Sequence, residues 1–245
     1  MKKQICIALV VLATGIGLSA QTPVIIEDPD WLIPLRDAVY EQQLTANQIR
    51  PLYTAATAAA QERYSGTALD IALSRSEFYI GKVLQEEERD EEARSHFNEG
   101  MRLAIRALEA SPSSDSWTLR AHHLAQLCSL GPWSFTVANG LDVGRFAERA
   151  LEFNSRNATA RHIIAARWIF APSPFSNIRR GIQMLEDTLA NADLTKEDLF
   201  SVYSSIGYGY VQQRRFDDAR PWLLKALEIY PTSKYASDLL ARRGR

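Results

Sequence analysis

The chain has 245 residues, of which 46% are hydrophobic, and its 28 basic and 29 acidic residues give a formal charge of −1. Mixed signs near neutrality argue against nucleic acid as the main partner, and the composition is that of a folded chain rather than a disordered one. Past the first twenty residues, no apolar run approaches the ~20 residues that a membrane-spanning helix needs.

Residues 1–20 read as an export signal. Lys2 and Lys3 form a basic start, Ile5 to Leu18 is almost wholly apolar, and Ser19-Ala20 offers small residues for cleavage, with a cut after Ser19 as the nearby alternative. Cleavage leaves 26 basic against 29 acidic residues, a formal charge of −3, and places the mature protein in the periplasm or outside the cell. Cys6 precedes most of the apolar run and so does not suit lipid attachment. Cys128 is then the only thiol left, and packing alone must hold the fold.

Residues 21–30, with Pro23 and Pro29, read as an extended lead-in, and from Trp31 onward helical periodicity dominates with no run of strand alternation. Residues 31–66 form a first helical hairpin. Pro34 suits its opening turn, and Thr45 with Gln48 makes a capping box for the second helix. Residues 67–231 then divide into four hairpins. Two of their connections look long: 131–140, with Pro132, Trp133 and Phe135, and 170–176, with Phe170 and Phe175. Thr195 with Asp198 starts the last hairpin. Residues 232–245 hold a short amphipathic helix with Tyr235, Leu239 and Leu240 on one side, the default cap for the open end of a repeat stack.

The repeat pattern is clearest near the C-terminus. Tyr203, Ile206, Gly207, Tyr210, Ala219, Leu223, Ala226 and Pro231 fall at successive offsets of 3, 1, 3, 9, 4, 3 and 5. Gly207 and Ala219 are small where two antiparallel helices must approach closely, the larger residues fill the space around them, and Pro231 stops the second helix. Ile80, Gly81, Leu84, Ala93 and Phe97 repeat the spacing, with the proline delayed to Pro112 by an elongated second helix. On these residues the chain resembles the tetratricopeptide repeat (TPR) family, in its exported bacterial form, over about residues 67–230.

That resemblance implies an all-α, right-handed superhelical solenoid whose concave groove is lined by first helices, and a role in binding rather than catalysis. Carried over by position, the groove side presents Arg75, Phe78 and Lys82, then Thr118 and His122, then Thr159 and His162, then Ser204 and Tyr208. The family's clamp for a peptide carboxylate is missing apart from Lys82. The expected partner is another protein of the envelope or periplasm, held by the groove or by the long turns through Trp133, Phe135, Phe170 and Phe175. A second reading is a small-ligand carrier with its site beneath those turns.

The residues suggest no catalytic, cofactor or metal site. His122 and His123 point ~100° apart on a helix, and no His-Glu-x-x-His pair or zinc-type cysteine–histidine spacing occurs. His122 and His162 could meet across neighbouring first helices, but without an obvious third ligand. The acidic run Glu86 to Glu92 falls at a helix–helix turn and lacks the glycine and spacing of a calcium loop. No nucleophile stands with a base at a readable spacing.

Overall fold

The computed structural model describes residues 24–171 and 174–242; the expected export signal lies outside the described residues. Eleven helices follow in chain order: α1 (Ile33–Glu41), α2 (Ala46–Arg63), α3 (Gly66–Glu86), α4 (Asp90–Ala110), α5 (Ser114–Leu130), α6 (Trp133–Phe153), α7 (Ala158–Phe170), α8 (Ile178–Asn191), α9 (Lys196–Gln212), α10 (Phe216–Ile229) and α11 (Lys234–Ala241). Each helix packs on its successor, and α3, α5, α7 and α9 also touch one another in sequence. This is an all-α stack of antiparallel hairpins of the TPR-like kind, with first helices on its inner side and α11 capping the last hairpin.

Local chemistry sets the helix ends. Thr45 and Thr195 complete the two expected capping boxes, and Ser113 with Ser116 makes a third. The turns α3–α4 and α9–α10 are near copies. In each, one residue is left-handed (Glu88, φ 59°; Arg214, φ 58°), and the next amide reaches back five residues, Arg89 to the Leu84 carbonyl and Arg215 to the Tyr210 carbonyl. The two hairpins that share the sequence pattern therefore share their turn as well.

The small residues act as the pattern requires. A Cβ placed on Gly81 would lie 2.6 Å from the Phe97 ring, and one on Gly207 would lie 2.5 Å from Leu223. Both α3–α4 and α9–α10 thus pack with a large side chain pressed onto bare backbone. Gly100 of α4 does the same for α5, because its bare Cα faces the ring of fully buried His123.

Two expectations need correction. Residues 131–140 do not form an inserted turn: only Gly131 and Pro132 connect α5 to α6, and the helix begins at Trp133. Pro132 has extended backbone, and its carbonyl accepts from the amides of Phe135 and Thr136, so the extra residues wind into the start of a 21-residue helix. Gly144 of α6 faces Arg167 of α7, which itself ends only three residues later. At ~1.5 Å per residue the first turns of α6 therefore overhang the end of α7. Where the sequence suggested a turn over 170–176, Phe170 ends α7, α8 starts at Ile178 and Asn177 caps it.

The lead-in is also more than an extended approach. Val24–Ile25 forms β1, which pairs in parallel with β2 (Asp193–Leu194) just before α9.

Gly100→Ala should lower unfolding stability by roughly 1–3 kcal/mol, as overpacking of a closed interior does. Urea denaturation checks this, and pairing the change with His123→Ala should cost less than the sum of the two single losses. Unchanged stability in Gly100→Ala would remove the packing argument.

Candidate functional site

The inner face of the stack is where the resemblance places a binding groove, and the chain's own N-terminal segment crosses it. Beyond the β1–β2 pair, the Ile26 amide donates to the Leu194 carbonyl at 2.8 Å. Asp28, only 5% exposed, accepts from Arg36 of α1 and from Arg75 of α3, each at 2.5 Å. Asp37 of α1 accepts from Lys196 at 3.0 Å, Tyr230 at 2.8 Å and Arg36. Tyr40 of α1 and Tyr79 of α3 both donate to Glu197 at the start of α9. The Tyr40 ring stacks on Tyr230 and meets Phe200 edge-on.

The segment finishes against the cap. Thr232 donates to the Glu41 carbonyl, and the Gln42 side chain accepts from the Tyr235 amide and the Ser233 hydroxyl. Apolar burial fixes α1 beneath these polar contacts, since Leu32, Leu35 and Val39 are almost fully enclosed. Each contributes on the order of 1.5–3 kcal/mol. Residues 24–42 thus tie the first hairpins to the last.

The predicted groove residues divide accordingly. Arg75 is engaged by Asp28. Phe78 is buried and stacks on His122 with ring centres 3.8 Å apart. Thr118 is buried, donating to the Ser114 carbonyl and accepting from Asn157. Ser204 is buried, with no partner for its hydroxyl among the described residues. Thr159 donates to Asp198, and His162 pairs with the Ser205 hydroxyl at 2.9 Å. Among the described residues Lys82 pairs with Glu86 alone, at 3.9 Å, and Tyr208 is covered by Phe170, with ring centres 4.7 Å apart. Three of these nine residues are buried and six are half-buried, most of them engaged by the chain's own side chains. Two clefts of about 510 and 380 Å³ lie elsewhere, one between the α9–α10 turn and α11, the other between α7 and α8.

Of the predicted turn residues, Trp133 is 63% exposed and Phe175 67%. Phe170 is half exposed even with Tyr208 beneath it, whereas Phe135 tucks into the core between α5 and α6. Val137 (59%) and Leu141 (64%), one and two turns beyond Trp133, continue its exposed line along α6. Reading 131–140 as a loop hid them, because the i, i+4, i+8 spacing means something only on a helix.

The electrostatics follow from enclosure. Burial, with Asp198 nearby, holds the Glu197 carboxyl above its ordinary value against the hydrogen bonds from Tyr40 and Tyr79. Burial and Glu197 drive both phenols well upward. At Asp37 burial pushes the carboxyl up, but Lys196, Arg36 and Tyr230 outweigh it and hold the group below its ordinary value. Burial lowers His123 and His162 to about 4, and burial with neighbouring His123, His162 and Lys82 holds His122 well below its ordinary value.

No protein-family model matches this sequence, and a search of curated proteins finds no match. Among solved structures the chain is similar to that of YrrB, described as a TPR protein with an unusual peptide-binding site, at 14% identity. The match covers 85% of this chain and 89% of that one, with a TM-score of 0.39.

The histidines set the pH dependence. Their ordinary value is 6.5 and the folded chain holds them neutral, so the unfolded state binds more protons between about pH 6.5 and 4. Stability is full above 6.5 and is lost as pH falls through that window, by about 1.4 kcal/mol per pH unit for each proton taken up. Raised Glu197 and Asp198 act oppositely, stabilising toward lower pH, but over a window that begins at carboxylate values. Urea unfolding at pH 7.5, 6.5 and 5.5 should show falling stability, with a shallower slope in His162→Gln. A flat profile would contradict the burial of these rings.

Proposed function

We infer that the protein is a non-catalytic helical scaffold that holds another protein, and that its contact surface is the edge of the stack formed by the hairpin turns. The observation that carries this reading is the line Trp133, Val137 and Leu141, each more than half exposed on the overhanging turns of α6, with Phe170 at the end of α7 and Phe175 on the α7–α8 turn. Large aromatic and aliphatic side chains grouped at the surface are what a partner buries. The inner face supports the same reading, since most of its predicted contact residues are already engaged by the chain's own side chains.

The export reading of residues 1–20 puts the partner in the envelope or outside the cell. The second reading, a small-ligand carrier with Lys82, His122, His162 and Tyr208 as its site, has less support, because Phe170 covers Tyr208 and Phe78 stacks on His122.

A photo-crosslinking residue at position 133 or 175, introduced in the native host, should give a discrete protein adduct identifiable by mass spectrometry. The same residue at 208 should give a weaker one or none. Adducts at 208 with none at 133 and 175 would return the site to the inner face.

A further inference from the structure

The first residues of the described chain are held in a way that differs from everything after them. Val24, Ile25 and Ile26 are 51%, 62% and 45% exposed, so their side chains contribute little by burial. Main-chain pairing with β2 and the Ile26 amide on Leu194 hold them instead. Two residues further on, the contact changes character completely, because the Asp28 carboxylate is enclosed between the guanidinium groups of Arg36 and Arg75. Pro29 follows, and from Leu32 onward α1 is anchored in the core. Release of the strap would therefore stop near Pro29.

Arg36 belongs to α1 and Arg75 to α3, so both stay behind if residues 24–28 lift away, as does the Leu194 carbonyl. What remains has the parts of a peptide site. A strand edge accepts any extended backbone by main-chain hydrogen bonds, and two guanidinium groups next to it select a carboxylate by charge-assisted hydrogen bonds. The side chains of residues 24–26 point largely to solvent, so such a site is blind to sequence along the strand and specific for an acid two residues past its last main-chain contact.

We propose that residues 24–28 are a tethered occupant of a site for extended acidic peptide segments, formed by β2, Arg36 and Arg75, and that a partner's segment of the same chemistry takes their place. This site is separate from the aromatic edge and does not depend on that reading. While the strap is seated, the apparent affinity for a free segment is lowered in proportion to the fraction of chains with the site open.

The test uses the full chain and a fluorescein-labelled peptide of sequence Val24 to Asp30, followed by anisotropy. The Asp28→Asn chain, whose own strap is weakened, should bind this peptide at least about tenfold more tightly than the wild-type chain. Binding should be lost when Arg75→Ala is added, and a peptide carrying asparagine in place of its Asp28 residue should fail on every chain. Should Asp28→Asn not fold by circular dichroism, Ile26→Pro loosens the strap by removing the amide that Leu194 accepts, and the same gain is expected. Equal binding to wild-type and loosened chains, or no binding to a folded loosened chain, overturns the proposal.

Discussion

Glu197 is the point on which the closed form of this protein turns. Its carboxylate takes hydroxyl hydrogen bonds from Tyr40 of α1 and Tyr79 of α3, residues 157 and 118 positions away in sequence. An enclosed carboxylate without partners costs several kcal/mol, so the two phenols and Glu197 need one another. Stacks of helical hairpins are ordinarily quasi-one-dimensional, with each repeat touching only its neighbours. Here a half-buried acid draws the first hairpins against the last, and α1 packs between them.

The parts of the fold that were legible in the sequence are those decided by near neighbours. Gly207 against Leu223 and Gly81 against Phe97 could be read because helix pairing at short separation fixes their spacing. The Thr45 and Thr195 caps could be read because the motif closes on itself within three residues. The start of α6 was misread for a local reason. Gly131-Pro132 breaks a helix and Gly140 and Gly144 weaken one, so the stretch looked like a loop, whereas Pro132 also suits the residue just before a helix and Gly144 makes room for Arg167.

The closure was not legible at all. Asp28 meets Arg75 across 47 residues, and Tyr230 meets Asp37 across 193; no periodicity marks such pairs. Glu197 stands in the first turn of α9, where an acidic residue already suits the positive end of the helix dipole, so nothing about it asked for a distant partner. A strand of two residues, Val24–Ile25, is too short to alternate. The groove residues carried over from the family resemblance lie on α3, α5, α7 and α9, where most of them meet the chain's own side chains. The contact surfaces proposed above are accordingly those outside this closure: the apolar line on α6, the α7–α8 turn and the lightly held strap.

Native-state hydrogen exchange of α1 against α9 tests the closure most directly. If α1 is an integral closing element, the amides from Val39 to Glu41 should exchange only through the same cooperative opening, with the same free energy and denaturant dependence, as those of Ser205 to Tyr210. Exchange of the α1 amides orders of magnitude faster, with α9 still protected, would mean that the inner face stands open in solution and that the N-terminal segment does not hold the first and last hairpins together.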